Sequence, residues 1–435
     1  MNKFLIKKIA FFVLLTAFFV IATILIIDAQ GYGFDFKKKQ LVRVGGISIR
    51  SLIPDVNVFV DNDYKGKTNT FSRDILIQKL IPGEYSVKAE KTDYYTWEKT
   101  LTVEEQRVAK AENVYLFKKN IDFELKNENI IDFFLSENKE NIIYLNNNQE
   151  IIFKNNVILD SINSKKYFKN IEKIEFFPDL KIILIKGKNN QDKYNYYYLE
   201  IIKPNILNRL EFLETSDIFY LGEQSIVYKK EKDIAIYSLS NKKSTIVKKN
   251  IDIFTFKNND FYFIENNLLV KMSNNKENIL SEKEITIKNY NLYIISGKLF
   301  AYDNNSLYIF NDYKKEFDLF LRTTELSYDV LPDKIIFSTG SELWLFLLRD
   351  FESPFFKKEG SLIFLSRFSS KIKNLTWFNS DYFFYIMNNN VFVSEIDNRS
   401  NINVFQVSQL PVEKLWFNEK ILYLLSENKI YTSTL

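Results

Sequence analysis

The chain contains no histidine and no cysteine among its 435 residues, which removes most of the side-chain chemistry available near neutral pH. Without cysteine there is no disulfide, no thiolate nucleophile and no thiolate metal site. Without histidine the usual general base and the commonest zinc ligand are missing. Carboxylates remain. Glu104 and Glu105 form an acidic pair, but adjacency in sequence does not set two acids across a substrate, and a solvated face is the expected role. Asp61, Asp63 and Gly66 imitate the start of a calcium loop, yet Lys65 replaces the third oxygen ligand and Ser72 stands where the bidentate Glu belongs. Asp61-Asn62 reads instead as a hairpin turn. There is no Gly-rich phosphate loop and no Gly-x-Ser-x-Gly elbow. No catalytic, cofactor-binding or metal-ligating residue is assigned, no cofactor is expected, and the chain reads as non-enzymatic.

Two further residue types invite a binding reading. Asn-rich turns resemble sugar- or metal-binding loops, but Asn at a hairpin tip more simply accommodates positive φ. Trp97, Trp344, Trp377 and Trp416 fall at apolar strand positions, where core packing is the expected role.

The frame that carries these residues is set by composition. Forty Phe and 26 Tyr against 11 Gly and seven Pro favour strands, because aromatic side chains suit a half-buried pleated surface. Net charge is +4, from 59 basic and 55 acidic side chains interleaved along the chain. The longest basic run is as short as Lys37, Lys38 and Lys39, so no face concentrates the charge that nucleic acid requires.

Residues 9–27 read IAFFVLLTAFFVIATILII, uncharged, with Thr16 and Thr23 as the polar members. At about 1.5 Å per residue this length matches a hydrocarbon core about 30 Å thick. A cleavable signal has a shorter apolar region of about 7 to 15 residues and then a small-residue cleavage site. The exit here, DAQGYG, is a poor one, so an uncleaved transmembrane anchor is expected. Lys3, Lys7 and Lys8 lie closer to the apolar run than Lys37, Lys38, Lys39 and Arg43 do, which places the N-terminus inside and the body outside.

The next stretch alternates polar and apolar residues through Val56, Val58 and Val60, turns at Asp61-Asn62, then resumes after Pro82-Gly83 through Tyr85, Val87 and Ala89. Ser51, Pro54, Val58, Val60, Asp61, Gly66, Thr68, Leu80, Pro82-Gly83-Glu84-Tyr85 and Tyr94-Tyr95 together resemble a PEGA domain, a small β-sandwich module of bacterial surface proteins. Asp55-Val56 replaces the family's usual Gly-Ala, Asn62 and Asp93 replace glycines, and no Pro follows Thr68. The resemblance implies an extracytoplasmic module without catalytic residues.

Beyond it the chain repeats an apolar strand, a short polar turn and a second apolar strand. Examples are FYFI-ENN-LLVKM from Phe261, YFFYIM-NNN-VFVSEI from Tyr382 and ILYLL-SENK-IYTSTL from Ile421. Eight such hairpins recur at roughly 35 to 47 residues, close to the period of propeller blades, and several are preceded by a short strand such as IEKIEFF, IKNLTWF or VEKLWF. The Gly-His and Trp-Asp signature of WD40 repeats and the Ser-x-Asp-x-Gly-x-Thr-Trp box are missing. The last copy ends at Leu435 without an outer strand, and a strand within residues 114–125 is expected to supply it.

The chain is therefore expected to be all-β: a transmembrane helix, a small PEGA-like β-sandwich and a 7- or 8-bladed β-propeller. The expected divisions are a cytoplasmic N-terminus at 1–8, the span at 9–27, a linker at 28–44, the sandwich at 45–117 and the propeller at 118–435. The expected function is that of a membrane-anchored binding or scaffold protein of the bacterial cell envelope. Its expected partners are the lipid bilayer through residues 9–27 and an envelope protein or glycan on the propeller face, with no nucleic acid. The alternative is an envelope hydrolase or lyase with a carboxylate site in the propeller channel; acids clustered there would favour it, and a channel lined by aromatics and Asn would favour binding.

The anchor reading predicts that the mature protein fractionates with membranes and keeps its N-terminus. N-terminal sequencing that begins near Gly31 would overturn it.

Overall fold

A computed structural model of the chain describes residues 3–36, 38–135, 142–154, 159–176, 182–200, 206–210, 218–220, 225–287, 289–352 and 356–435. One helix, Lys3–Ala29, opens it. Its stretch Lys8–Ala29 is long and apolar enough to cross a membrane, and its most apolar part is left unburied by the described residues. Thr16 and Thr23 turn their hydroxyls back onto the carbonyls of Phe12 (2.7 Å) and Phe19 (2.9 Å), so neither leaves a polar group bare on the apolar surface. The helix gives way to a two-stranded antiparallel hairpin, Tyr32–Asp35 with Gln40–Arg43, in the stretch expected to be a linker. Lys37 lies outside the described residues.

The sandwich follows. One sheet holds Asp74–Leu80, Gly45–Ser51 and Val108–Val114, the last pair parallel; the other holds Asp63–Lys67, Asn57–Val60, Gly83–Glu90 and Trp97–Val103. Ile47, Ile49, Val58, Val60, Val87 and Leu101 fill the space between them. Asp61 (φ 51°) and Asn62 (φ 68°) form the tight turn expected of them. The Asp61 carboxylate accepts the Ser86 amide (2.9 Å), a structural use of the residue that had resembled a calcium ligand. Pro82-Gly83 does not close a hairpin. The strand before it pairs in one sheet and the strand after it in the other, so this turn carries the chain across the sandwich.

The rest of the chain builds eight four-stranded antiparallel sheets. In order they are blade 1 (130–163), blade 2 (170–210), blade 3 (218–248), blade 4 (254–279), blade 5 (291–322), blade 6 (327–367), blade 7 (372–406) and blade 8 (414–434 with 124–128). Each of the eight hairpins legible in the sequence supplies the two middle strands of one blade, and the short strands ending in aromatics, such as Asn170–Phe176 and Ile372–Trp377, lie innermost. Paired asparagines such as Asn266 (φ 52°) with Asn267 (φ 62°) and Asn388 (φ 51°) with Asn389 (φ 59°) sit at hairpin tips, where positive φ lets the turn follow the strand twist.

Buried clusters join each blade to the next. Ile226 and Tyr228 of blade 3 pack on Leu184 and Tyr198 of blade 2, for example. The same holds across the seam, where Ile130, Phe133 and Tyr144 of blade 1 meet Leu425 and Ile430 of blade 8. The ring is closed, and it is an eight-bladed β-propeller.

The closing strand is Glu124–Glu128, which pairs with Lys429–Thr434 in the register Glu124↔Thr432 and Glu128↔Lys429. It overlaps the expected segment 114–125 only at Glu124 and Leu125. The residues before it are committed elsewhere: Val114 and Leu116 are in the sandwich core, and Phe117 joins the cluster between blades 7 and 8.

Ring closure yields a stability prediction. A chain lacking residues 412–435 leaves Glu124–Glu128 unpartnered and the apolar flank of blade 1 bare, and it should aggregate or melt far below the full chain. Ile430→Ala should cost about 2–5 kcal/mol, as for other buried aliphatic truncations. An open solenoid would lose only its terminal repeat, so equal melting temperatures for the truncated and full chains would contradict closure.

Candidate functional site

Among the described residues, polar side chains meet on the innermost strands around the propeller axis and at the junction between sandwich and propeller. Around the axis the acids serve structure. Asp132 of blade 1 holds Lys414 of blade 8 (Nζ–Oδ1 2.7 Å), and the same ammonium donates to the Phe133 carbonyl (2.7 Å), clasping the seam. Asp329 of blade 6 accepts the Trp377 amide of blade 7 (2.8 Å). Glu175 pairs with Lys173 on its own strand. Between these groups Tyr293 and Tyr328, on the innermost strands of blades 5 and 6, remain 41% and 44% exposed. Burial raises the Tyr328 phenol above its ordinary pKa, with the Tyr293 phenol beside it adding to the rise. Among the described residues, no group of three or more acids is placed to hold a metal ion. Glu104 and Glu105 lie in the turn between Trp97–Val103 and Val108–Val114, where Glu104 pairs with Arg107 (2.6 Å).

The junction is denser. It is built on the sandwich's edge strand, Trp97–Val103, whose side chains alternate buried and exposed. Trp97, Lys99, Leu101 and Val103 are the buried set, so a lysine occupies a core position. Its ammonium donates to Glu395 Oε1 (2.5 Å) and to the carbonyls of Asp397 and Asn401 (2.8 Å each), at the end of the third strand of blade 7 and in the loop after it. The Trp97 indole N–H donates to Glu395 Oε2 (2.8 Å), and the Asn403 amide and side chain both donate to Oε1 (2.8 Å each). Glu395 thus has four donors and almost no exposure, and burial lifts its pKa above the ordinary glutamate range against the pull of Lys99. A second, half-buried acid, Asp381, accepts from Asn113 of the sandwich (2.9 Å), and desolvation raises its pKa too. Tyr95 stacks on Phe405, ring centroids 5.0 Å apart, and the Tyr382 hydroxyl accepts the Tyr115 amide (3.1 Å).

With this geometry in place, residues 44–114 can be compared with known families. They match the PEGA domain. No curated protein matches the chain. Solved structures similar to it include BamB from Moraxella catarrhalis, at 10% identity over 72% of this chain and 97% of that one, TM-score 0.46. The computationally designed Ika8 protein is similar at 10% identity over 73% and 99%, TM-score 0.46. The WD40 domain of SCAP from fission yeast is similar at 8% identity over 72% and 98%, TM-score 0.43.

Clefts open where the PEGA domain meets the propeller, and two of them are lined in part by Asn120, Ile121 and Asp122 of the connector. One, of about 410 Å³, is lined by Tyr94, Tyr115, Lys118, Asp122 and Thr432 among others. The other, of about 580 Å³, is lined by Tyr95, Phe123, Gln409 and Tyr431 among others. The connector itself is pinned to the PEGA domain, Tyr95 N–H to the Phe117 carbonyl (2.8 Å) and Lys119 N–H to that of Asp93 (2.9 Å). No local pattern signals the junction: Lys99 and Glu395 stand 296 residues apart, and each looks like an ordinary strand residue. Trp97 is the exception, expected in a core and found in one, with its N–H used to join the domains.

Lys99→Met would leave Glu395 buried without a cation and should destabilise the protein by about 3–5 kcal/mol near neutral pH. The pH dependence has a definite sign. Because burial raises the folded-state pKa of Glu395, the group's contribution is fully present below the unfolded glutamate pKa and is lost as pH rises through the folded one. The deficit should therefore shrink as pH falls toward the ordinary glutamate range, and Glu395→Gln in the Lys99→Met background should recover part of it. Denaturant titrations at several pH values check this, and a deficit that does not change with pH would count against it.

Proposed function

We propose that this protein is a membrane-anchored, non-catalytic binding or scaffold protein of the cell envelope, with its body outside the cytoplasm. In this reading residues 1–8 stay in the cytoplasm, 9–27 cross the bilayer, and the PEGA domain and propeller stand beyond it. What carries the reading is how the acids are used. Glu395, the most desolvated carboxylate of the junction, is saturated by Lys99, Trp97 and Asn403. Asp132 and Asp329, on the innermost strands, clasp neighbouring blades. A hydrolase needs one acid poised to give a proton and another free to act on substrate or water, and these groups are held in structural bonds. The exposed Tyr293 and Tyr328 instead offer the amphipathic rings that proteins use to hold peptide or glycan.

Support for the anchor comes from the apolar helix and for the location from the PEGA match. The propeller is not free to swing from the PEGA domain, so it presents its faces at a set attitude to whatever lies next to the membrane. An envelope protein or glycan on a propeller face is the partner this arrangement suits.

Protease added to cells with an opened wall should digest the PEGA domain and propeller while sparing the membrane segment. Protection of everything after Asp28 would reverse the topology. In the same cells, a photo-crosslinker at Tyr328 should give adducts with envelope material that are lost on replacing Tyr293 with Ala. Adducts confined to cytoplasmic proteins would sink the reading.

A further inference from the structure

The hairpin just after the apolar helix carries a face that none of the described residues covers. Its register, Tyr32↔Arg43 and Phe34↔Leu41, puts these four side chains on one side, and Gly33↔Val42 on the other. Phe34 and Leu41, directly opposed, are 45% and 52% exposed; Phe36, at the tip, is 82% exposed and meets the Phe34 ring edge-on at 5.1 Å. Beside them at the tip stand the exposed Lys38 and Lys39. Asp35 points the other way: it is buried and its carboxylate accepts the Lys38 amide (3.1 Å), closing the turn. Three adjacent apolar side chains in water, on a two-stranded ribbon that is marginal by itself, call for a covering surface.

The chain places a candidate surface within reach. The hairpin begins three residues after Ala29, the last residue of the helix, and four extended residues reach at most about 14 Å. Its base is tied down. Arg43 donates to the Tyr32 hydroxyl (3.2 Å) and to Gln106 of the PEGA domain (2.9 Å), the Val44 amide bonds the Gly31 carbonyl (2.9 Å), and Lys79 pairs with Asp28 at the helix end (2.7 Å). We infer that this hairpin lies in the interface of the bilayer that the helix crosses, with Phe34, Phe36 and Leu41 among the upper acyl chains and Lys38 and Lys39 on anionic headgroups. The combination of apolar rings with basic tips is what an interfacial element presents, and lysines close to an anionic leaflet are drawn to it. The inference rests on the membrane-anchor reading. It adds a second, composition-sensitive contact that sets how the body stands on the lipid.

The absence of cysteine makes single-cysteine labelling clean. The full chain carrying Leu41→Cys, on the proposed lipid-facing side, with an environment-sensitive fluorophore would be placed in nanodiscs of phosphatidylcholine, with and without phosphatidylglycerol, some bearing quenchers near the headgroups and others bearing them deep on the acyl chains. Thr16→Cys reports on the helix, and Tyr313→Cys, on an exposed propeller turn, reports on water. The expected result is blue-shifted emission at position 41 that the headgroup quenchers quench, stronger with phosphatidylglycerol. Replacing Lys38 and Lys39 with Gln should lower the equilibrium constant between lipid-shielded and water-exposed positions about fivefold per lysine. If position 16 is quenched by the acyl-chain quenchers while position 41 behaves like 313, the hairpin inference falls and the anchor stands. If position 16 is not quenched, the anchor falls and takes the inference with it. Label-to-label transfer that is insensitive to lipid quenchers would give the face to a second copy and overturn the inference.

Discussion

A lysine and a glutamate shut away from water hold the two halves of the body together. Moving a carboxylate and an ammonium out of solvent costs several kcal/mol for each ion, and mutual attraction offsets it only when the remaining lone pairs and protons are also satisfied. The loop between the third and fourth strands of blade 7 meets that demand. It brings two carbonyls to Lys99 and two Asn403 donors to Glu395, and the PEGA domain adds the Trp97 indole. The pair therefore tolerates one arrangement of strand and loop, and sliding Trp97–Val103 by a residue would turn Lys99 outward and bring a neighbour inward. The stabilisation gained over a purely apolar contact is small. What the pair contributes is register.

The same loop solves a second problem. Trp97–Val103 is the outer strand of its sheet and would otherwise present bare amides and carbonyls to solvent or to another chain. Ser400 accepts the Thr100 amide (3.1 Å), and Asn403 both accepts from the Glu98 amide (3.3 Å) and donates to the Glu98 carbonyl (3.0 Å). The edge is thus covered by side chains of the propeller. In the propeller the innermost and outermost strands of each blade are the edges. Asp132–Lys414 and Asp329–Trp377 tie inner strands of neighbouring blades, so charges serve where the ladder stops.

How much of this was legible follows from what each residue does locally. The apolar helix, the hairpins of the blades and the Asn-paired tips are written in short-range pattern, because strand alternation and positive φ are properties of neighbours. The PEGA motif is similarly local. The outer strands are harder to read: Lys276–Ile279 is KENI, all four residues exposed, with no apolar face to betray it. The closing strand was displaced for the opposite reason. Residues 114–117 look like a good strand, and their apolar side chains are consumed by two cores before the ring begins. The Lys99–Glu395 contact has no local signature, since a charged residue between apolar neighbours reads as the solvent face of a strand. The hairpin after the helix escaped notice because Gly31, Gly33 and the basic tip read as a linker.

The position of the PEGA domain follows from the topology of the ring. A closed propeller has one place where covalent continuity is lacking, the blade assembled from both ends of the chain. Here that is blade 8, with Glu124–Glu128 from one end and Lys414–Asn418, Ile421–Ser426 and Lys429–Thr434 from the other. Opening the ring requires parting these strands or the neighbouring blade interfaces, so stability added there protects the whole. The PEGA domain is docked beside it. Tyr95, Tyr115 and Phe117 enter the cluster between blades 7 and 8, packed with Tyr382, Phe384, Phe417 and Leu424, while Lys99 and Asn113 grip blade 7 through Glu395 and Asp381. The connector that leaves this contact becomes the closing strand seven residues after Phe117. Because that connector is already pinned at Phe117 and Lys119, little chain freedom is left to lose when the closing strand pairs, and the entropic cost of sealing the ring falls accordingly. The contact that fixes the domains also holds the seam shut.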